Sequence, residues 1–413
     1  MSDEADRSSF PGHGGGEAAV GEAQALLLGL LAPIERRPEC VPLAEAAGRI
    51  LARDLVAGIP VPGWDNSAMD GYACRAADLE AASTALPVSQ RIPVGAAPAP
   101  LAPGTAARIF TGAPIPQGAD TVVAQEVCRE SDGVVHIDRP PAAGANVRRA
   151  GEDLVQGAVA LRAGRRLSPA DIGVAASLGH AALEVAPPLG VAVLTTGDEL
   201  VPPGQTLGPG QIYASNGPLL FSLLAGLGCA PLPPVQVPDS LAATRAALDA
   251  AAVTADLLLT SGGVSVGEED HVKAAVAALG VLDQWRVAIK PGKPLAFGRV
   301  RNTPFVGLPG NPVALFVTFA LFAAPAIRRL QGRSDPLPQA LPLAAGFDRP
   351  RTDRRDVYLR VRLQNGQLVP YPRQGAAILS SVAWADGLAR VPAGSPVARG
   401  DLLDFYPMSA LLT

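Results

Sequence analysis

Cysteine and histidine are scarce in this sequence, and neither is spaced for metal binding. The 413-residue chain has four cysteines, which lie far apart without a CxxC pair, and four histidines without ligand spacing. A zinc site or a disulfide framework is therefore not expected, and a reducing compartment fits. The cysteines are Cys40, Cys74, Cys128 and Cys229.

An excess of positive charge and long apolar runs are lacking as well. The formal net charge is −4, whereas a general nucleic-acid binder normally carries a basic face. No run approaches the roughly 20 apolar residues that span a bilayer. The acidic, glycine-rich start has neither the basic flank nor the apolar stretch of a signal peptide, so residues 1–16 are predicted to be a disordered tail. We expect a cytoplasmic protein without nucleic-acid or membrane partners.

The length and the changing pattern along the chain indicate a multidomain α/β protein. A chain of 413 residues is too long for one ordinary core. Alternating apolar strands and helices predict a doubly wound, parallel sheet, and short strands with Pro and Gly turns predict β domains. The predicted units are a discontinuous helical or mixed domain (17–60 and 142–188), an inserted β domain (61–141), a doubly wound α/β domain (189–332) and a small C-terminal β domain (340–413).

Three glycine-containing turns follow apolar strands of the α/β region: TTGDEL (195–200), TSGGVSVGEED (260–270) and GLPGNP (307–312). Ligands of doubly wound sheets bind outside the carboxyl ends of the strands. Turns of this kind point backbone N–H groups at an anion, and in the third Asn311 is the expected N-cap with Pro312 as the first helical residue. None of them is a Walker A loop or a GxGxxG fingerprint. Together they favour a phosphate-bearing ligand.

Carboxylates lie on two of the same turns, beside the glycines. A carboxylate repels a phosphate unless a cation lies between them, and Mg²⁺ is bound by one or two carboxylates together with substrate phosphates. Glu199 and Asp270 are the predicted metal ligands. Glu268 and Glu269 are interpreted as solvated acids that cap a helix.

The segment RVAIKPGKPLAFG (286–298) supplies the opposite charge. Arg286, Lys290 and Lys293 surround a Pro-Gly turn whose prolines restrict the backbone. The apolar residues before Lys290 are expected to be a strand that places it at the same edge of the sheet. A rigid loop that presents cations suits an oxyanion.

Two further motifs, DNSAMDGYACR (65–75) and RRAGEDL (148–154), stand where the β insertion begins and ends. Taken alone, they are ordinary interdomain hydrogen-bonding segments. They belong to a set of seven motifs on which a family resemblance rests. The other five are TGAPIPQGAD, TTGDEL, SGGVSVGEED, KPGKPLAFG and GLPGNP. From about residue 18 to its end the chain resembles the molybdopterin molybdenumtransferases, known as MoeA in bacteria and as the E domain of gephyrin-type proteins.

This resemblance implies a reaction and an assembly. Enzymes of the family take adenylylated molybdopterin and molybdate, use Mg²⁺ or a similar ion, release AMP and leave molybdenum on the dithiolene. The family fold is an elongated homodimer of four-domain subunits, with each active site between the α/β domain of one subunit and segments of the other. Transient contacts with a molybdopterin adenylyltransferase and with molybdoenzyme partners are also implied.

Motif matching then implies two groups of site residues, with Glu199 and Asp270 on the metal or molybdate side. The catalytic group is Asp153, Glu199, Asp239, Asp270, Arg286 and Lys290. The substrate-binding group is Asp70, Thr111, Arg148, Gly262, Gly263, Ser265, Lys293, Pro309, Gly310, Asn311, Pro312, Arg360 and Ser381.

The chain departs from the family pattern at a few positions. Arg286 stands where relatives commonly have lysine, and Ala214 where they often have Asp or Asn. Alanines 376 and 377 stand where a serine is often found, so Ser380 or Ser381 replaces that serine or the contact is lost.

Two alternative functions stay open at this point. The first is a molybdopterin adenylyltransferase-like activity, because those smaller proteins share the SGG turn, although they lack the flanking β domains. The second is a gephyrin-like scaffold that binds a receptor peptide, against which the intact set of acids and lysines argues.

Overall fold

The computed structural model describes residues 17–80, 83–263 and 271–413. Up to residue 188 the chain combines short helices with short strands. These elements are α1 (Val20–Gly29), β1 (Glu39–Pro42), α2 (Leu43–Ala46), β2 (Leu55–Val56), β3 (Asn66–Ser67), β4 (Gly71–Cys74), β5 (Thr84–Ile92), β6 (Ala106–Ile109), β7 (Thr121–Ala124), β8 (Cys128–Ser131), β9 (Val134–Ile137), β10 (Val147–Arg148), β11 (Val159–Leu161), α3 (Pro169–Ser177) and β12 (Ala182–Val185).

The inserted segment forms a sheet of its own. Strands β4 to β9 make six strands in the order β7-β4-β6-β5-β9-β8. On either side of the insertion, a separate apolar core joins residues 41–57 to residues 161–185. That packing is the one expected of a discontinuous unit, and its exact boundaries stay a prediction.

The α/β region begins at residue 190. Its elements are β13 (Gly190–Thr196), β14 (Leu200–Val201), β15 (Ile212–Tyr213), α4 (Asn216–Gly226), β16 (Ala230–Pro231), β17 (Val235–Val237), α5 (Leu241–Thr254), β18 (Leu257–Ser261), α6 (His271–Leu279), β19 (Gly280–Arg286), β20 (Ile289–Lys290), β21 (Pro294–Val300), β22 (Thr303–Leu308), α7 (Pro312–Thr318) and α8 (Ala324–Leu330).

Helices cover both faces of this sheet, which confirms the doubly wound prediction. Along β13, Val191 and Val193 join the core beneath α1, α4, α7 and α8. Ala192 and Leu194 join the core beneath α5 and α6. Alternate side chains of a strand point to opposite faces, so an unbroken apolar run is what a strand buried on both sides requires.

The sheet contains the predicted parallel strands and, in addition, an antiparallel edge. Strands β13, β16, β17, β18 and β22 run parallel, but β21 pairs antiparallel with both β22 and β19. Val300 pairs with Thr303, so only Arg301 and Asn302 form the turn, with Arg301 at φ 53°. A two-residue turn can join only antiparallel strands, and here it lacks the glycine that usually signals one.

Helix α1 packs on the α/β sheet, although it was predicted to belong to the 17–60 unit. Val20, Ala23 and Leu27 are buried in the core shared with β13 and α8. Their spacing places them on one helical stripe. Helix α1 therefore shares its core with the α/β region, while the domain boundaries stay a prediction.

The last helix of this region contains a π-helical turn, Phe319–Ala323, between α7 and α8. Pro325 has no N–H for the Leu321 carbonyl, which leaves that acceptor without its helical partner. Gln24 of α1 donates to Leu321 O at 2.8 Å. A side chain from a neighbouring helix thus satisfies the carbonyl that the proline releases.

One helix, Pro312–Leu330, is long and apolar enough to cross a membrane by length and composition alone, but it is almost entirely buried inside the protein. Helices that are apolar on all sides are found in protein cores as well as in membranes. This helix is the central element of the larger core.

The C-terminal region closes into a β-barrel, which refines the predicted β domain. Pairing runs β24-β25-β23-β27-β26 and returns from β26 to β24. A closed barrel has no free sheet edge among these strands. The elements are β23 (Leu341–Ala345), β24 (Asp356–Gln364), β25 (Gln367–Pro370), α9 (Ser380–Trp384), β26 (Gly387–Val391), β27 (Leu402–Pro407) and α10 (Met408–Leu412).

Candidate active site

The three predicted turns begin side by side at one edge of the α/β sheet, here called the rim. In the parallel register, Thr195 lies opposite Ser261, and Ser261 lies opposite Leu308. Strands β13, β18 and β22 therefore end at the same level. The turns that follow them share the rim, at the carboxyl ends where such sheets bind ligands.

Short contacts join the second and third turns. The Gly262 N–H donates to Leu308 O at 3.0 Å, and a Cβ placed on Gly310 would lie 3.7 Å from the Gly262 Cα. Asn216 Nδ2 donates to both Ser261 Oγ (2.8 Å) and Gly310 O (2.7 Å). Gly262 and Gly263 both have positive φ, at 91° and 68°, a conformation that glycine adopts without strain.

Asn216 is a rim residue that sequence reasoning missed. Its amide nitrogen bridges two turns, while its Oδ1 is buried and has no hydrogen-bond partner among the described residues. Asn216 is the first residue of α4, and its place at a helix start gives no sequence signal that its side chain joins two loops.

Acidic side chains surround the first turn. The Asp239 N–H donates to Asp198 Oδ1 at 3.1 Å, and the Asp198 N–H donates to Asp239 Oδ2 at 3.3 Å. The Glu199 carboxylate folds back over Gly197, where any Cβ would lie 2.5 Å from Glu199 Oε2. Gly197 has a φ of 143°, a conformation that other residues rarely adopt, and the turn gathers three carboxylates on the rim.

Among the described residues no group of three or more His, Cys, Asp or Glu is placed to hold a metal ion. A divalent cation at these carboxylates would therefore have to be shared with a phosphate, as Mg²⁺ is when one or two protein carboxylates and substrate phosphates complete its shell. Asp198 and Asp239 each use one oxygen in the reciprocal bonds. The predicted metal ligand Asp270 and the predicted substrate-binding residue Ser265, together with Glu268 and Glu269, lie outside the described residues.

The cationic loop lies at the same edge of the sheet. Arg286 pairs with Pro294, and Ala296 pairs with Gly307, so β19 ends and β21 begins level with Pro309. The Val287 N–H donates to Lys293 O at 3.0 Å and closes the loop. At Gly292, any Cβ would lie 2.6 Å from Thr318 Cγ2, so the loop rests tightly on α7.

Both lysines of this loop are paired with carboxylates from other parts of the chain. Lys290 Nζ lies 2.8 Å from Asp353 Oδ2, and Lys293 Nζ lies 2.6 Å from Glu17 Oε1. The hydrogen bond from Lys290 lowers the pKa of Asp353 below its usual value. Arg286 is exposed, and its carbonyl accepts the Ala18 N–H.

The predicted residues of the β insertion form a separate group. Asp70 Oδ1 accepts both the N–H (2.8 Å) and the hydroxyl (2.7 Å) of Thr111, and the backbone bond lowers the pKa of Asp70. Arg148 ends β10, and the Asp153 N–H donates to Val61 O at 3.0 Å. Among the described residues no hydrogen bond or ion pair joins these four residues to the rim.

Arg360 and Ser381 were predicted to bind the cofactor, and that role stays a prediction. Arg360 is 1% exposed and Ser381 is fully buried. Arg360 Nε donates to Ser381 Oγ at 3.1 Å and its Nη2 to Gly375 O at 3.3 Å, while burial lowers its pKa to about 10. Val357, Leu359 and Val361 of β24 belong to the barrel core, so Arg360 lies on the outer face of the strand, where it holds the 374–381 loop.

That loop reaches the rim from the barrel side. Asn311 is the residue before α7 and Pro312 the first helical residue, as predicted, but Asn311 makes no capping hydrogen bond. Instead the Val313 N–H donates to Ala376 O at 3.0 Å. This N–H at the start of α7, which was expected to face an anion, is therefore already bonded to a carbonyl of the 374–381 loop.

Two cavities among the described residues lie away from the rim: one of about 860 Å³ beside α5 and α6, and one of about 610 Å³ beside residues 159–166. Neither is lined by a described residue of the three turns.

Comparison with known sequences agrees with this layout. Residues 18–179 match the MoeA N-terminal region (domain I and II), 192–329 match a probable molybdopterin binding domain, and 342–408 match the MoeA C-terminal region (domain IV). Molybdopterin molybdenumtransferase 2 of Mycobacterium tuberculosis is 40% identical over 90% of this chain and 96% of its own length. The molybdopterin molybdenumtransferase of Haemophilus influenzae is 43% identical over 73% of this chain and 75% of its own.

Solved structures give the same result for the fold. The molybdopterin biosynthesis MoeA protein of Pyrococcus horikoshii OT3 superposes with a TM-score of 0.82 at 28% identity, covering 95% of this chain and all of that one. The match extends over the helical part, the insertion, the α/β sheet and the C-terminal barrel. The chain therefore belongs to the molybdopterin molybdenumtransferase (MoeA) family.

Proposed function

We propose that this protein inserts molybdenum from molybdate into adenylylated molybdopterin and releases AMP, as the names of its relatives indicate. The observation that carries the proposal is the meeting, on one rim, of three strand-end turns, three carboxylates and a loop with three cations. A phosphoanhydride and an oxyanion need such a combination of opposite charges. The adenylyltransferase-like and scaffold alternatives are not favoured.

Each part of the rim has a proposed task. The glycine turns bind the phosphates of the substrate, because their backbone N–H groups can approach an anion closely. Arg286, Lys290 and Lys293 hold molybdate and the charge that develops on the leaving AMP. Asp239 and Glu199, with Asp270, would hold a divalent cation, which supplies charge neutralisation between carboxylates and phosphates.

The composition supports a specific role for the lysines. The chain has only three lysines against 31 arginines, and two of the three, Lys290 and Lys293, stand in this one loop. Arginine carries the positive charge almost everywhere else. An ammonium is a compact point charge, whereas a guanidinium is a planar fork. We infer that the loop needs the ammonium itself.

We also propose that the active protein is a cytoplasmic homodimer whose partner subunit covers the rim. Asp70, Thr111, Arg148 and Asp153 match the family motifs, yet no described bond ties them to the rim of their own chain. They would contribute to a site if they lay over the rim of a second copy. Each site would then combine rim residues of one subunit with insertion residues of the other.

Molybdate-dependent release of AMP is the test of the reaction. Purified protein with adenylylated molybdopterin, molybdate and Mg²⁺ is expected to release AMP, and EDTA should reduce the rate to background. Glu199→Gln should lower the rate about 10- to 100-fold, because it removes one charge from the proposed cation site. Glu45→Gln, an exposed change on α2, serves as the control and should have no effect. AMP release that ignores molybdate would contradict the proposal.

Mixing two inactive variants tests the shared site. Asp70→Asn and Lys290→Gln should each inactivate the protein, because they alter opposite walls of the same site. Unfolding and refolding the two together should restore about a quarter of the activity, since random pairing gives half mixed dimers with one intact site each. If the mixture stays inactive while each variant still forms dimers, the site is not shared between subunits.

A further inference from the structure

Each of the two loop lysines already has an acidic partner from outside the α/β region, in addition to its proposed contact with the ligand. Lys290 is held by Asp353 of the segment before the barrel strand β24, and Lys293 by Glu17 before α1. These partners come from opposite ends of the chain. The inference drawn from them rests on the proposed function, because it assigns the same lysines to oxyanion binding.

Backbone pairing fixes Glu17 beside the loop. Ala18 is 3% exposed, its N–H donates to Arg286 O at 2.8 Å, and its carbonyl accepts the Ala288 N–H at 2.8 Å. Ala18 and Val287 form a parallel bridge. The residue before this anchor is therefore held within reach of Lys293, and the ion pair is part of the fold.

A second backbone pairing fixes Asp353 on the other side of the loop. Strand β20 pairs in parallel with the start of β24, with Ile289 opposite Asp356, and the Asp356 N–H donates to Ala288 O at 2.9 Å. The Asp353 carbonyl accepts the Gly394 N–H at 2.7 Å. The loop thus lies between two segments, and each segment presents one carboxylate to one lysine.

We propose that Glu17 and Asp353 are positioning residues that compete with the oxyanion for Lys293 and Lys290 and thereby set its affinity. Molybdate is a dianion, so a carboxylate within reach of the same ammonium repels it. The lysine side chains are 43% and 51% exposed, and exposed ion pairs are weak enough for a ligand to displace. The carboxylates hold the ammonium groups at the rim until the substrate displaces them.

Neutral isosteres of the two acids should therefore tighten oxyanion binding. Glu17→Gln and Asp353→Asn keep the shape and remove the charge, so each should lower the Kd for molybdate about two- to fivefold. The double variant should combine the two effects, because the carboxylates hold different lysines. The difference from wild type should shrink in about 1 M KCl, where exposed charges are screened.

The experiment is calorimetric titration of the full-length protein with molybdate alone. The set contains wild type, Glu17→Gln, Asp353→Asn, the double variant, and Lys290→Gln with Lys293→Gln. Glu22→Gln is the matched control, because it removes the next acid along the chain, from the first turn of α1. Thermal melting of every variant identifies those whose fold has changed, and Glu17→Asp, which restores the charge, should return the Kd towards wild type.

Three outcomes are distinguishable. Tighter binding in the acid variants, with the Glu22 control unchanged, supports the inference. Unchanged binding in the acid variants, while the lysine variants bind more weakly, overturns it and leaves the proposed function standing. Unchanged binding in the lysine variants overturns both the inference and the role of the loop in the proposed function.

Discussion

Replacing Arg328 with methionine is expected to lower the free energy of unfolding by about 2–4 kcal/mol. Arg328 is 1% exposed, and burial lowers its pKa to about 10. Each buried carbonyl left unpaired costs about 1–3 kcal/mol, while removing a desolvated charge offsets part of that sum. Its guanidinium donates to the carbonyl oxygens of Pro336, Ala410, Leu411 and Thr413.

Arg329 provides the matched control on the same helix. It is half-buried and donates to one carbonyl, Leu31 O, at 3.1 Å, so Arg329→Met should cost about 1 kcal/mol. Urea denaturation followed by circular dichroism measures both variants. Equal losses for the two variants would mean that water bonds to the four carbonyls when Arg328 is removed. The hydrogen bonds of Arg328 would then add no more stability than the single bond of Arg329.

Local patterns predicted much of the fold because their causes are local. The apolar run 191–194 is enough to indicate a strand covered on both faces, and the structure places it there. Ser168 and Asp171 form a capping box at the start of α3, from residues three apart in the sequence. In each case the stabilising partner lies within a few residues, so the sequence order contains the information.

Long-range contacts account for the errors. The carbonyl of Leu321, in the π-helical turn, is bonded by Gln24, which lies 297 residues away in the chain, and the antiparallel edge is joined by a turn without glycine. Nor does a sequence show that the guanidinium of Arg360 would be buried between the outer face of β24 and the 374–381 loop. Pattern reasoning assigns the type of an element better than it assigns the surroundings of a side chain.

At the rim, too, the local features were predictable from the sequence and the long-range contacts were not. The three glycine turns were predictable from strand–turn–helix order, because parallel strands must end at one edge. The carboxylate partners of the two lysines were not, since Glu17 and Asp353 are brought in by pairings with segments far along the chain. Sequence identified the ammonium groups, and only the structure shows what holds them.

Lys290→Arg is expected to lower kcat/KM for molybdate by about 100-fold, although it keeps the positive charge. Lys290 Nζ lies 2.8 Å from Asp353 Oδ2. A guanidinium at this position can form a bidentate pair with the same carboxylate, which is stronger and more directional than the single ammonium contact. The arginine would then stay on Asp353 and leave the oxyanion without its donor. The measurement is the rate of AMP release as a function of molybdate concentration.

The chain offers a matched control in its third lysine. Lys273→Arg makes the same chemical change on α6, outside the loop, and should leave kcat/KM unchanged. If trapping on Asp353 is the cause, adding Asp353→Asn to Lys290→Arg should recover part of the lost activity, because the bidentate partner is gone. If Lys290→Arg is as active as wild type, a positive charge of either kind is sufficient at the rim. The loop would then not need the ammonium group itself.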